Sequence, residues 1–211
     1  MGLWLIFFLI LVAVLAIKWN LPYLIGKSGE NFVERKLNEL DPEYYKVLYD
    51  LMLPSLGSTS ATQIDHVVVS NYGIFCIETK NYSGWIFGGA HQQYWTQVIY
   101  KFKKRFFNPL RQNYAHIKAL EAIILPSFPK AIIKGFVAFP SAEKLKISDA
   151  KNVGYARDII NSLKAFAVPI FTDVERDTIL QKLLDANISD KDLRKQHNQQ
   201  VRDLQSFNYF R

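Results

Sequence analysis

The stretch from Gln63 to Gly84 (QIDHVVVSNYGIFCIETKNYSG) constrains the fold of this chain more than any other. Two apolar runs rich in β-branched residues, Ile64 to Val69 and Ile74 to Ile77, flank Asn71-Tyr72-Gly73, a turn that breaks any helical period. That pattern predicts a β-hairpin. Side chains on a strand alternate between faces, so Glu78 and Lys80 project to one side and Thr79 to the other. Asp65 lies early in the first strand, and a hairpin folds it back beside the end of the second. Two carboxylates and one ammonium then occupy neighbouring points on one edge of a sheet.

Close carboxylates repel, and each raises the pKa of the other unless a cation compensates. A hard divalent ion such as Mg2+ does so through one or two carboxylates, keeping its other positions for water and phosphate oxygens. Lys80 would stand where it can position an attacking water or stabilise charge developing at phosphorus. The competing reading is a half-buried hairpin whose polar residues face solvent, since D…ExK combinations also arise by chance.

Asp65 followed by Glu78-x-Lys80 resembles the PD-(D/E)xK nuclease signature. The wider text is more specific. Gly26-x-x-Gly29-Glu30, Gln63-Ile64-Asp65-His66, Tyr72-Gly73-Ile74-Phe75, Glu78-Thr79-Lys80-Asn81 and Asn108-Pro109-x-x-Gln112 occur in one order. Together they resemble the nuclease-related domain (NERD) family over roughly Ile25 to Ile124. The resemblance implies an α/β fold with a PD-(D/E)xK-like core, a mixed central sheet flanked by helices. It implies metal and catalytic positions for Asp65, Glu78 and Lys80, with Glu30 joining the metal site or standing just behind it. It also implies that Gln112 contacts substrate or the water at the metal, and that Mg2+, or Mn2+ in its place, is the cofactor. Ile64 stands before Asp65 where the superfamily signature has proline, as is usual in this family.

The apolar run Leu3 to Ile17 (LWLIFFLILVAVLAI) carries no charge. Residues Met1 to about Trp19 just reach the ~17–25 residues that a spanning helix needs. Trp4 and Trp19 suit the interfacial belts. With no basic residue before the run and no small-residue cleavage site after it, the expectation is a retained anchor rather than a signal peptide. Lys18, Lys27, Arg35 and Lys36 follow the run, which by the positive-inside rule predicts a single-pass membrane protein with its C-terminal bulk in the cytoplasm. Cys76 stands alone in the chain, which excludes an internal disulfide or a cysteine-based zinc site and fits a reducing compartment.

A formal net charge of +7 favours an anionic partner. Between Trp95 and Gly135, eight basic residues face one acid, Glu121. Of these, Lys101, Lys103, Lys104, Arg105 and Arg111 form the candidate phosphate-backbone footprint for nucleic acid. The interleaved Phe102, Phe106 and Phe107 either stack on unpaired bases or belong to the core. A role for this basic face at a membrane surface is the further option.

Elsewhere, Ser28 is placed to cap a helix over about Gly29–Leu40, and Tyr45–Leu53 reads as a strand followed by a Ser/Thr-rich loop to Thr62. Asn81–Gly89 reads as a turn-rich connection and Tyr94–Tyr100 as a strand. Asn108-Pro109 opens a helix running to about Leu125, with Gln112 and His116 four residues apart on it. His116 and His66 are expected to be structural. Ala131–Phe139 reads as a strand. Asn152–Phe166 reads as a short strand and a helix, and 173–186 as a helix capped by Thr172 or Asp173. Ser189 begins a last polar helix whose tail suits a surface or partner-binding role. The organisation expected is an anchor at 1–19, a linker at 20–25, the nuclease-like domain at 26–140, and a mostly helical extension at 141–211. Two functions follow: a membrane-anchored, metal-dependent nuclease acting on DNA, or a non-catalytic module that binds nucleic acid or protein.

Overall fold

A computed structural model describes residues 2–55, 61–197 and 199 of the chain. The elements in order are α1 (Gly2–Leu37), β1 (Tyr45–Pro54), β2 (Ala61–Ser70), β3 (Gly73–Thr79), β4 (Gly84–Gly89), β5 (Tyr94–Ile99) and β6 (Phe102–Phe107). There follow α2 (Pro109–Ile124), β7 (Ile133–Ala138), β8 (Ala142–Ser148), β9 (Val153–Gly154), α3 (Ala156–Lys164) and α4 (Asp173–Ala186).

Five strands form a mixed sheet in the order β1-β2-β3-β7-β9. The hairpin expected from the sequence is β2–β3, with Ser70 opposite Gly73 and His66 opposite Ile77. All of β3 is buried, as a near-continuous apolar run requires when helices cover both faces of a sheet. On one face Val67, Ile74 and Cys76 pack with Leu120 and Ile124 of α2 and Ile179 and Leu183 of α4. On the other, Val68, Phe75 and Ile77 pack with Val33 and Leu37 of α1 and Ile159, Ile160 and Leu163 of α3.

A second sheet, β6-β5-β4-β8, is inserted between β3 and α2 and completed from beyond β7. Its inner face, with Ile86, Trp95 and Phe106, packs on Val137 and Phe139. β4 lies where the sequence predicts a turn-rich connection, β6 in the basic and aromatic segment, and β8 in a stretch with no predicted element.

The N-terminal run needs a correction. Among the described residues no helix is long and apolar enough to cross a membrane. The uninterrupted apolar run Leu3–Ile17 rises only about 22 Å as a helix, against a hydrocarbon core of about 30 Å. The helix does not stop at Pro22 but continues to Leu37 through Lys27, Glu30 and Glu34. The transmembrane part of the expected fold is therefore overturned. With it goes the single-pass localisation, anchored through this helix, with a cytoplasmic C-terminal domain.

The Ser28 cap likewise gives way, because Ser28 lies inside α1. Thr172 is the N-cap of α4, in a reciprocal capping box with Glu175. Residues 191–197 are helical, and the Asp190 carboxylate accepts the Asp192 and Leu193 N–H groups. The rest of the polar tail, from 200 onward, lies outside the described residues, as does most of the loop after Pro54.

Candidate active site

The end of β3 gathers the residues on which the functional expectation rests. Glu78 is 2% exposed. Lys80 Nζ lies 2.6 Å from Glu78 Oε1, and His116 Nε2 donates to Glu78 Oε2 at 3.1 Å. Lys80 Nζ also donates to Gln112 Oε1 at 2.9 Å, and its backbone N–H donates to Ala138 O at 2.8 Å, which holds it just beyond β3 and alongside β7.

One step beyond the His66–Ile77 pair the β2–β3 ladder has ended. There the half-buried Asp65 turns its carboxylate inward, and Oδ2 accepts the Thr79 N–H at 2.7 Å in place of a ladder bond. Asp65, Glu78, Lys80 and Gln112 thus meet around one strand end.

Helix α2 supplies the far wall. Asn108 caps it with Oδ1 on the Leu110 N–H, and Pro109 opens its first turn, where a missing N–H costs nothing. Asn113 Nδ2 then donates to Cys76 O and Phe136 O, which bolts the helix across β3 and β7. The close approach depends on Gly135: a Cβ there would lie 2.7 Å from Ile117 Cδ1 and 2.9 Å from Asn113 Nδ2. With α2 so fixed, Gln112 and His116, one turn apart, both reach the end of β3. The Nδ1 of His116 pairs with the Thr62 hydroxyl at 2.7 Å, which orients the ring toward Glu78. The spacing put His116 on the Gln112 face, but only the fold reveals its partner.

The charges in this pocket do not balance. Burial works to raise the Glu78 pKa, but the Lys80 ammonium and the His116 hydrogen bond outweigh it and hold it down at about 2. Burial likewise works to lower Lys80, and the attraction of Glu78 overcomes it, so its pKa is raised. Asp65 is pushed well above the usual carboxylate range, first by burial and then by the Glu78 charge, with Lys80 and the Thr79 N–H offsetting only part. Lys80 is committed to Glu78, and Asp65 is left as the group a further cation would relieve.

Among the described residues no three His, Cys, Asp or Glu side chains cluster so as to hold a metal by themselves. Mg2+ is commonly held by one or two carboxylates, with water in its other positions, and Asp65 and Glu78 are the pair that would offer them. Glu30 faces Lys27 on its own helix at 3.1 Å and reaches Asp65 only as a minor charge.

His66, on the opposite face of β2 from Asp65, stacks edge-on against Tyr49, with ring centroids 5.8 Å apart. Burial lowers its pKa to about 4. Cys76 sits in the core. Of the basic candidates, Lys101 lies at the β5–β6 turn against the Tyr100 ring, and Lys103 and Arg105 alternate with Lys104 along β6. Arg111, in the first turn of α2, donates to His91 O.

Residues 25–140 match the nuclease-related domain. An uncharacterized protein of Bacillus anthracis is 40% identical over 200 residues, covering 92% of this chain and 93% of its own. No solved structure matches the chain.

Proposed function

The chain belongs to the nuclease-related domain family, and from that premise we propose that it hydrolyses nucleic-acid phosphodiesters, those of DNA foremost, with Mg2+ or Mn2+. The observation that carries this reading is the unbalanced pocket. The Asp65 carboxylate lies beside a Glu78–Lys80 pair closed at 2.6 Å, and its pKa is raised by burial and by that neighbouring charge.

Asp65 and Glu78 would hold the cation. When bound, it would neutralise negative charge on the phosphate and make water a stronger nucleophile. Lys80, its ammonium fixed between Glu78 and Gln112, presents positive charge where a pentavalent phosphorus would build up negative charge. Gln112 offers its remaining amide N–H groups to a phosphate oxygen or to the attacking water. His116 positions Glu78 through its hydrogen bond.

One observation favours a second reading, a nuclease-like module that binds without cutting. Both Glu78 oxygens are already engaged, by Lys80 and by His116. A cation must share that carboxylate with them or rely chiefly on Asp65.

The test uses the full chain with plasmid and single-stranded DNA in Mg2+, in Mn2+ and in EDTA. Cleavage that requires metal and disappears in Glu78→Gln and in Lys80→Met is the expected result. Binding with no cutting in either metal, unchanged in both variants, would overturn the hydrolase and leave the binding module.

A further inference from the structure

The second sheet has an open face that the proposed active site does not use. Residues directly opposite one another on paired strands share a face. The registers therefore lay out one row as Lys144, Trp85, Val98 and Lys103, and the next as Lys146, Phe87, Thr96 and Arg105. A third row carries Tyr94 and Phe107, paired edge-to-face at 6.1 Å between ring centroids.

The cations lie over the rings. Lys144 and Lys146 stand 5.1 and 4.9 Å from the centre of Trp85, Lys146 is 5.3 Å from Phe87, and the Arg105 guanidinium is 4.8 Å from Tyr94. Trp85 and Phe107 remain 41% and 44% exposed. The four strands carry five basic residues and one acid, Glu143, which sits where β8 shifts register against β4.

Lysines on edge strands commonly guard a sheet against pairing with other chains, and that would account for the charges on β6 and β8. It does not account for Trp85 and Phe87, which sit on an interior strand facing solvent. A positive face with half-exposed aromatic rings at its centre is complementary to a ligand with both phosphates and free flat bases. Duplex DNA offers the first but keeps its bases stacked inside; an unpaired strand offers both.

We propose that this face binds single-stranded nucleic acid, with bases stacking on Trp85, Phe87 and Phe107 and phosphates on Lys103, Arg105, Lys144 and Lys146. The inference rests on the proposed nuclease reading only for its class of ligand. The face is also connected to the pocket, because β4 begins four residues after Lys80 and β6 ends five residues before Gln112. A strand held here is held by the same segments that carry the candidate catalytic groups.

The test is fluorescence anisotropy of a short labelled oligothymidylate and of a duplex of equal length, with the full chain in EDTA so that nothing is cut. The single strand is expected to bind more tightly than the duplex. Trp85→Ala combined with Phe87→Ala should weaken single-strand binding about ten-fold or more while leaving its salt dependence unchanged. Lys144→Gln combined with Lys146→Gln changes only exposed side chains and so keeps the fold. It should reduce the log–log salt slope by about 1.4. Single-strand affinity and salt slope that do not change in both pairs overturn the proposal, as does a preference for duplex that neither pair alters. Cleavage is scored separately in Mg2+. Binding lost in these pairs without cleavage in any protein keeps this face and removes the hydrolase, whereas intact cleavage with indifferent binding does the reverse.

Discussion

Arg176 fastens α4 to the hairpin that carries Asp65 and Glu78, and replacing it with methionine measures how much that fastening is worth. Arg176 is 5% exposed, and its guanidinium donates to Asn71 Oδ1 and Asp173 Oδ1 at 2.9 Å, to Asp177 Oδ1 at 2.8 Å and to Glu43 O at 2.5 Å. The two aspartate side chains are 72% and 56% exposed, so solvent screens both ion pairs and neither carries the main effect. The greater part lies with Asn71, buried at the β2–β3 turn. Asn71 O accepts the N–H groups of Ile170 and Phe171, and its Nδ2 donates to Phe171 O and Asp173 Oδ1. Arg176→Met keeps much of the stem volume but removes every donor. A buried acceptor left unpaired costs about 1–3 kcal/mol, and Asn71 Oδ1 is one outright while Glu43 O, nearer solvent, is one in part. The expected loss is about 2–4 kcal/mol, a large share of the stability of an ordinary domain. Urea unfolding followed by circular dichroism measures it. A double-mutant cycle with Asn71→Ala should show a coupling energy above about 0.5 kcal/mol. A variant within about 0.5 kcal/mol of the parent, or changes that simply add, would refute the reasoning.

Three further predictions concern stability. His66, with a folded pKa of about 4 against an ordinary 6.5, is neutral in the fold where the unfolded chain is protonated. Measured in EDTA, the stability it contributes is intact above pH 6.5 and falls by about 3 kcal/mol as pH drops toward 4; a difference profile against His66→Gln that shows no such fall would refute this. Asp65 has the opposite sign: its raised folded pKa means stability is lost as pH rises above the unfolded value, so Asp65→Asn should be the more stable protein in EDTA near neutral pH. The parent alone should then gain about 2.7 kcal/mol from Mg2+ at a hundred times its Kd, and thermal melts with equal Mg2+ responses would argue against a site at Asp65. At Gly88 a Cβ would lie 2.4 Å from the ring of Trp95, which is fully buried and cannot retreat, so Gly88→Ala should cost about 1–3 kcal/mol and lower the melting temperature; an unchanged melt would show that the ring can shift.

Where a local signal in the sequence coincided with a tertiary demand, the element was legible. The β2–β3 hairpin combines two apolar runs with a turn, α2 has Asn108-Pro109 at its start, and α4 has Thr172 three residues before Glu175. The second sheet lacks that agreement. The sequence of β4, GWIFGG, is half glycine, yet Gly88 is required there so that Trp95 can close over the strand. β6, FKKRFF, buries only Phe106 and leaves its other residues to solvent, so no alternation of apolar and polar residues marks it as a strand. The N-terminal run misleads for a related reason. Apolarity alone reads as a membrane span, whereas the length of the run and its continuation into a charged helix decide against one.

The candidate site divides in the same way. Glu78 and Lys80 could be paired from strand alternation alone, because a two-residue spacing puts both side chains on one side, and they do meet at 2.6 Å. Asp65 needed only the hairpin register. The partner that helps set the electrostatics is of another kind. His116 lies 38 positions from Glu78; a pair so distant leaves no local pattern, since His116 is locally an ordinary polar side chain on a helix. Its effect adds to that of Lys80. Glu78, 2% exposed, is held ionised by Lys80 and His116, and Lys80 offsets only part of what raises Asp65. A carboxylate kept in that condition lowers the stability of the fold, and the cation proposed above would restore it.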